Sequence, residues 1–130
     1  MEQKKPKIAI IGCGGIAKNA HMNSYRELNR FEVVAACDIL PDRAKAFAEA
    51  NGIPQYFTDY HDVLKLEGLD AVDICTPNYL HSIIAVDALN AGLNVLCEKP
   101  DAINPVEAEK MKAAAEKNGK LLMVIRNNRF

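Results

Sequence analysis

A short run of Ile and Ala ends at Gly12-Cys13-Gly14-Gly15-Ile16-Ala17, a GxGxxA pattern that opens into a helical stretch. The chemistry open to such a turn is anion binding by the main chain. Gly12 permits the tight turn, and Gly14 lets the backbone approach a pyrophosphate with no Cβ in the way. Ala17 is small enough for the helix to pack on the strand. The amides of Gly14, Gly15 and Ile16, with the helix dipole behind them, favour the phosphate charge. The bland alternative is a plain tight turn. Asp38 ends the second strand-like run, 24 residues beyond Gly14. A carboxylate there accepts hydrogen bonds from the ribose hydroxyls of an adenosine and repels a 2′-phosphate, which favours NAD over NADP. A capping or solvated Asp38 is the alternative. Arg43 follows shortly and could moderate the preference, although a surface place on the next helix suits it better.

Two further stretches carry reactive side chains. In Cys75-Thr76-Pro77-Asn78-Tyr79-Leu80-His81, Thr76 and Asn78 offer polar contacts to a ribose or phosphate, and His81 lies one turn into a helix. Asn78 as a simple N-cap and His81 as a surface residue are the competing readings. In Glu98-Lys99-Pro100, the proline disfavours helix at Lys99 and can hold both side chains toward a cleft. A lysine so held can donate to a hydroxyl or carbonyl oxygen and help a proton move during hydride transfer. Glu98 can contact the nicotinamide ribose or orient Lys99. Taken alone, the pair reads more simply as a surface ion pair.

The elements that must position these residues follow from pattern. Lys7–Ile11, Glu32–Cys37, Ala71–Cys75, Asn94–Cys97 and Leu121–Ile125 are short, rich in Ile, Val and Leu, and lack strict alternation. That suits strands buried on both faces of a parallel sheet. Gln55–Phe57 is weaker, and Pro54 before it suits an edge. Helices are predicted over Gly15–Asn29, Pro41–Asn51, Asp59–Leu66, Asn78–Ala91 and from Pro105 to Asn118. Their signals are proline at the first turn, Asx caps, and Asn-Gly or Gly stops. Alternation of strand and helix predicts a Rossmann-type α/β fold, a doubly wound parallel sheet with helices on both faces and strand order 3-2-1-4-5-6. A ligand then sits outside the carboxyl ends of the strands, at the switch point between the first and fourth.

Composition fits this reading. Of 130 residues, 49% are apolar and 25% charged, and the net charge is −1, so no basic surface points to nucleic acid. Tyr25, Tyr56 and Tyr60 are too scattered for a stacking platform. His21 and His61 read as solvated or capping residues. The apolar run Ile8–Ile11 is too short for a signal peptide or membrane span, so a cytoplasmic protein is expected. Cys13, Cys37, Cys75 and Cys97 show no metal-ligand spacing and read as reduced, partly buried thiols. All four lie at carboxyl ends of strands, which leaves a metal or redox cluster as the minor alternative. If Cys13 and Cys75 flank the dinucleotide, bound NAD should slow their alkylation.

Together Gly12–Ala17, Thr76-Pro77-Asn78…His81 and Glu98-Lys99-Pro100, in this order and spacing, resemble the Gfo/Idh/MocA oxidoreductases, which include glucose–fructose oxidoreductases and inositol dehydrogenases. The resemblance covers the chain but only the first domain of such enzymes. It implies an NAD(P)-dependent enzyme acting on a sugar, cyclitol or related polyol. It gives Lys99 a catalytic role, and the glycine loop, Asp38, Thr76, Pro77, Asn78, His81 and Glu98 cofactor contacts. Family members add a mostly β second domain that supplies substrate contacts and commonly the oligomer interface. Residues 1–126 are therefore expected to be the dinucleotide domain and 127–130 the start of a connection. Without that second domain the chain is expected to turn over substrate poorly, and the parent to be a homo-oligomer. The alternative is a dinucleotide-sensing module without catalysis, for which a catalytic lysine has no use. A methyltransferase is disfavoured by the run of six parallel strands.

Overall fold

The computed structural model describes residues 5–13, 31–75, 78–98 and 105–125. The helix predicted over Gly15–Asn29 lies outside them. Six strands, β1 (Lys7–Ile11), β2 (Glu32–Cys37), β3 (Gln55–Phe57), β4 (Ala71–Ile74), β5 (Asn94–Glu98) and β6 (Leu122–Ile125), form one sheet in the order β3-β2-β1-β4-β5-β6. Every neighbouring pair is parallel. This is the doubly wound Rossmann arrangement expected from the sequence. The described helices are α1 (Pro41–Asn51), α2 (Tyr60–Leu64), α3 (Asn78–Asn90) and α4 (Pro105–Asn118).

Each strand feeds alternate side chains to two cores. Ala9 and Ile11 of β1, with Val72 and Ile74 of β4, join one apolar cluster with Ile84, Ala88 and Leu89 of α3 and Met111 of α4. Ile8 and Ile10 join the other, against Phe47 and Ala48 of α1. Burial on both faces is why the central strands read as continuous apolar runs. β3 and β6 are the edges, and Met123 on β6 is exposed.

Local signals set the helix ends. Pro41 occupies the first turn of α1, and Gly52 closes it in the left-handed region at φ 67°, its N–H donating to Ala48 O. α2 is shorter than predicted. Asp59 is its cap, accepting from the His61 N–H, and the chain tightens at the other end, where Leu66 N–H donates to Val63 O. These i→i−3 bonds end the helix at Leu64 instead of Leu66. Small shifts occur elsewhere too. α3 stops at Asn90, because the Ala91 and Gly92 amides turn back onto the last carbonyls. β4 stops at Ile74, β5 runs on to Glu98, and β6 begins at Leu122. Tyr60 OH donates to Asp87 Oδ2, tying α2 to α3, and His61 is exposed beside them. Among the described residues no helix is long and apolar enough to cross a membrane.

Leu89 is fully buried between α3 and the sheet, whereas Ile83 on the same helix is 54% exposed. Leu89→Ala should therefore cost about 2–5 kcal/mol of unfolding free energy and Ile83→Ala no more than about 0.5 kcal/mol, read from urea midpoints.

Candidate functional site

The carboxyl ends of the central strands finish level. Ile11 is in register with Cys37 on one side and Ile74 on the other, and Ile74 with Cys97. The loops leaving β1, β2, β4 and β5 therefore emerge along one rim. Gly12 makes the first turn there at φ 96°, a backbone state that L side chains rarely adopt. Its N–H donates to Cys37 O at 2.7 Å, which holds the start of the glycine loop against the end of β2.

Asp38 is the next residue, and it is neither solvated nor a helix cap. Its carboxylate is buried, with Oδ2 accepting from Cys13 N–H and Oδ1 from Leu40 N–H, both at 2.9 Å. Its own N–H donates to Phe57 O at 3.1 Å. Leu40, the residue that precedes α1, has no side-chain cap of its own. An ionised carboxylate has about four lone-pair sites, so two backbone amides leave each oxygen able to accept again. Ile39, 79% exposed, and Leu40 form an apolar ledge beside it. Acceptor, glycine turn and apolar ledge together fit the adenosine end of a dinucleotide. The ledge was not read from the sequence. Its signal was an apolar pair directly after the strand-ending acid, where a solvated turn would be polar.

Arg43 stands in the first turn of α1, half exposed, with Nη1 3.8 Å from Asp38 Oδ2. It is a surface residue of the helix, as expected, and it also faces the carboxylate. On the other side of β1, Cys75 N–H donates to Ile11 O at 2.7 Å, and Asn78 opens α3 three residues later. His81 lies one turn into α3, and Glu98 is the last residue of β5, in register with Ile125. Gly14, Gly15, Ile16, Thr76, Pro77 and Lys99 lie outside the described residues. A separate groove of about 440 Å³, lined by Lys5, Lys7, Asp70 and Asn94 among others, opens at the opposite, amino end of the strands.

None of the four cysteines is in a disulfide. Cys37 and Cys97 belong to the core under α3 and α4, whereas Cys13 and Cys75 pack with the core under α1. The pairs join different cores, but Cys13 stays beside Cys37, its Sγ–H donating to Cys37 O at 3.3 Å. Among the described residues no group of three or more His, Cys, Asp or Glu can hold a metal. Burial first, then the Asp38 charge, pushes the thiols of Cys13 and Cys37 up to about 12, and burial with Asp73 pushes Cys97 up to about 11. Cys13 is therefore a poor reporter of the rim, contrary to the expectation from sequence. Cys75 is only half-buried and is the accessible one.

Residues 6–126 match the model of an oxidoreductase family with an NAD-binding Rossmann fold. D-glucoside 3-dehydrogenase of Escherichia coli is 38% identical over 124 residues, covering 95% of this chain and 35% of that protein. The WlbA dehydrogenase of Chromobacterium violaceum, solved with NADH and UDP-GlcNAcA, superposes with a TM-score of 0.88 at 32% identity over 96% of this chain and 36% of its own. KijD10, a 3-ketoreductase of Actinomadura kijaniata solved with NADP, gives a TM-score of 0.87 at 33% identity over 93% and 38%. The chain thus spans about a third of the length of the proteins it matches.

Two outcomes follow from the thiols. A raised thiol pKa means that the folded state holds its proton more tightly than the unfolded chain. The contribution is full below pH 9, the ordinary thiol value, and is lost as pH rises through about 11 to 12. The unfolding free energy read from urea titrations should therefore fall above pH 9, by roughly 1 kcal/mol per buried thiol per pH unit. In iodoacetamide time courses followed by mass spectrometry, Cys75 should react first, and Cys13, Cys37 and Cys97 only on unfolding.

Proposed function

The chain belongs to the Gfo/Idh/MocA family of NAD-binding oxidoreductases, and from that premise we propose that it is the cofactor-binding part of a dehydrogenase that moves a hydride between a nicotinamide dinucleotide and a carbon of a sugar, cyclitol or related polyol. One observation carries the reading of the site: a buried carboxylate at the end of β2, fastened to the first turn through Cys13 N–H and still able to accept. In this reading the dinucleotide lies along the carboxyl rim of the sheet. Gly12 sets the turn, and Gly14, Gly15 and Ile16 present amides to the pyrophosphate. Asp38 accepts from the adenosine ribose, and Ile39 supports the flat face of the base. Thr76, Pro77, Asn78 and His81 line the far half, and Glu98 contacts the nicotinamide ribose.

The bound cofactor supplies the hydride acceptor or donor, and the protein supplies position and electrostatics. Lys99, next in the chain after the last residue of β5, donates to the substrate oxygen and carries the proton that accompanies the hydride. Pro100 restrains the backbone that presents it. The ribose-binding carboxylate favours NAD over NADP. Substrate contacts come from outside the 130 residues, which accords with relatives about three times as long.

Calorimetric titration of the 130-residue chain should show NADH binding, and Gly12→Ala should weaken it at least several-fold, because φ 96° strains any side-chain-bearing residue. Absence of NADH binding would count against the site. In a protein that also carries the substrate-binding part, Lys99→Ala should lower turnover by about 10²–10⁴-fold while NADH affinity stays within about twofold. Full turnover without Lys99 would overturn its catalytic role, and NADH binding with no turnover in the unsubstituted protein would favour the sensing module.

A further inference from the structure

Asp73 has no part in the site so far. It is the third residue of β4, in register with Ile10 of β1 on one side and Leu96 of β5 on the other. Val72 and Ile74 beside it join the core under α3 and α4, so alternation turns Asp73 to the opposite face, where Cys75 packs. The Cys75 Sγ–H donates to Asp73 Oδ1 at 3.5 Å. Asp38 and Asp73 are the buried acids among the described residues, and Asp73 is the deeper, at 0% exposure. A carboxylate is costly to bury there, in a strand whose other residues are apolar.

The place of that charge is specific. Ile74 is in register with Cys97, so Asp73 lies two residues, roughly 7 Å, below the level of Cys75 and Glu98 at the rim. The loops that begin there lead to Thr76 and to Lys99. Its field reaches that level. The thiol of Cys97, two positions before Lys99, is pushed up to about 11 by burial first and then by the Asp73 charge. A charge in the interior is weakly screened, whereas an exposed carboxylate is screened by water and salt.

The oxidised nicotinamide ring carries a positive charge, which it loses on taking up the hydride. A fixed negative charge beneath the ring therefore favours the oxidised form. On the dinucleotide reading proposed above, which puts the nicotinamide beside Lys99 over the ends of β4 and β5, we infer that Asp73 sets the balance between oxidised and reduced cofactor on the protein: its buried charge holds NAD⁺ in preference to NADH. Asp73 acts through its field from below the rim. Favouring NAD⁺ makes the bound reduced cofactor the readier hydride donor.

The test is the ratio of NAD⁺ to NADH affinity, read by calorimetry on one sample of each variant, which makes it independent of the fraction folded. The unsubstituted chain should hold NAD⁺ at least as tightly as NADH. Asp73→Asn, nearly isosteric and neutral, and Asp73→Ser, smaller and neutral, should each move the ratio roughly threefold to tenfold toward NADH. A tenfold movement is about 30 mV in the potential of the bound couple. A merely structural role would lower both affinities together and leave the ratio alone. Asp70→Asn removes an exposed carboxylate just before the other end of β4 and should not move the ratio. The inference would be overturned, with the dinucleotide site left standing, by a movement under about twofold in the neutral Asp73 variants, by a folded variant that binds neither form, by an equal movement in Asp70→Asn, or by a preference for NADH beyond about twofold in the unsubstituted chain. That last measurement needs no variant to fold. Binding of neither form by the unsubstituted chain would overturn the dinucleotide reading, and this inference with it.

Discussion

Two backbone amides converge on the carboxylate of Asp38, one from Cys13 in the turn after β1 and one from Leu40 at the entrance to α1. Each group taken alone would be costly. A buried carboxylate without donors and a buried amide without an acceptor both lose their water for nothing. Paired, they lock three segments to one another: the glycine turn, the end of β2 and the start of α1. The position of the first turn is then a property of the sheet register, because Gly12 N–H also reaches Cys37 O. What the rim can bind depends on this junction, since it sets where the amides of the glycine loop begin and where an acidic acceptor faces them.

The fold was largely legible because its signals are local and redundant. Runs such as Ile8–Ile11 and Val72–Ile74 are buried on both faces, so they lack the alternation of a one-sided sheet. Pro41 and the Asn51-Gly52 stop bracket α1, and Pro105 and Asn118 bracket α4. The element ends were less legible. The extent of α2 depends on how its last amides choose between the third and fourth preceding carbonyls, and side-chain pattern does not encode that choice.

The site was legible by residue type and less so by environment. Asp38 stood out from its place after the second strand, but its inward turn depends on the Cys13 amide, which only tertiary pairing delivers. Ile39 and Leu40 were passed over because an isolated exposed apolar residue is ordinary. They gain meaning from standing beside a buried acid. The cysteines illustrate the converse. Their shared position at strand ends suggested a cluster, and packing places Cys13 and Cys75 with one core and Cys37 and Cys97 with the other. Family membership adds what neither pattern nor packing supplies, a class of reaction for the rim to serve.

The central pairing of the sheet has a kinetic consequence. β1 lies between β2 and β4, and the β1–β4 junction joins Lys7 to Asp70 across 63 positions of chain. Closing so long a loop costs entropy before any contact rewards it, which makes parallel pairing of this kind slow. Until it closes, β1 is an unpaired apolar edge open to the wrong neighbour. The rim needs β4 beside β1, so it is completed only as the two halves of the sheet join. In a newly made chain, capacity to bind and escape from aggregation therefore arrive in the same step.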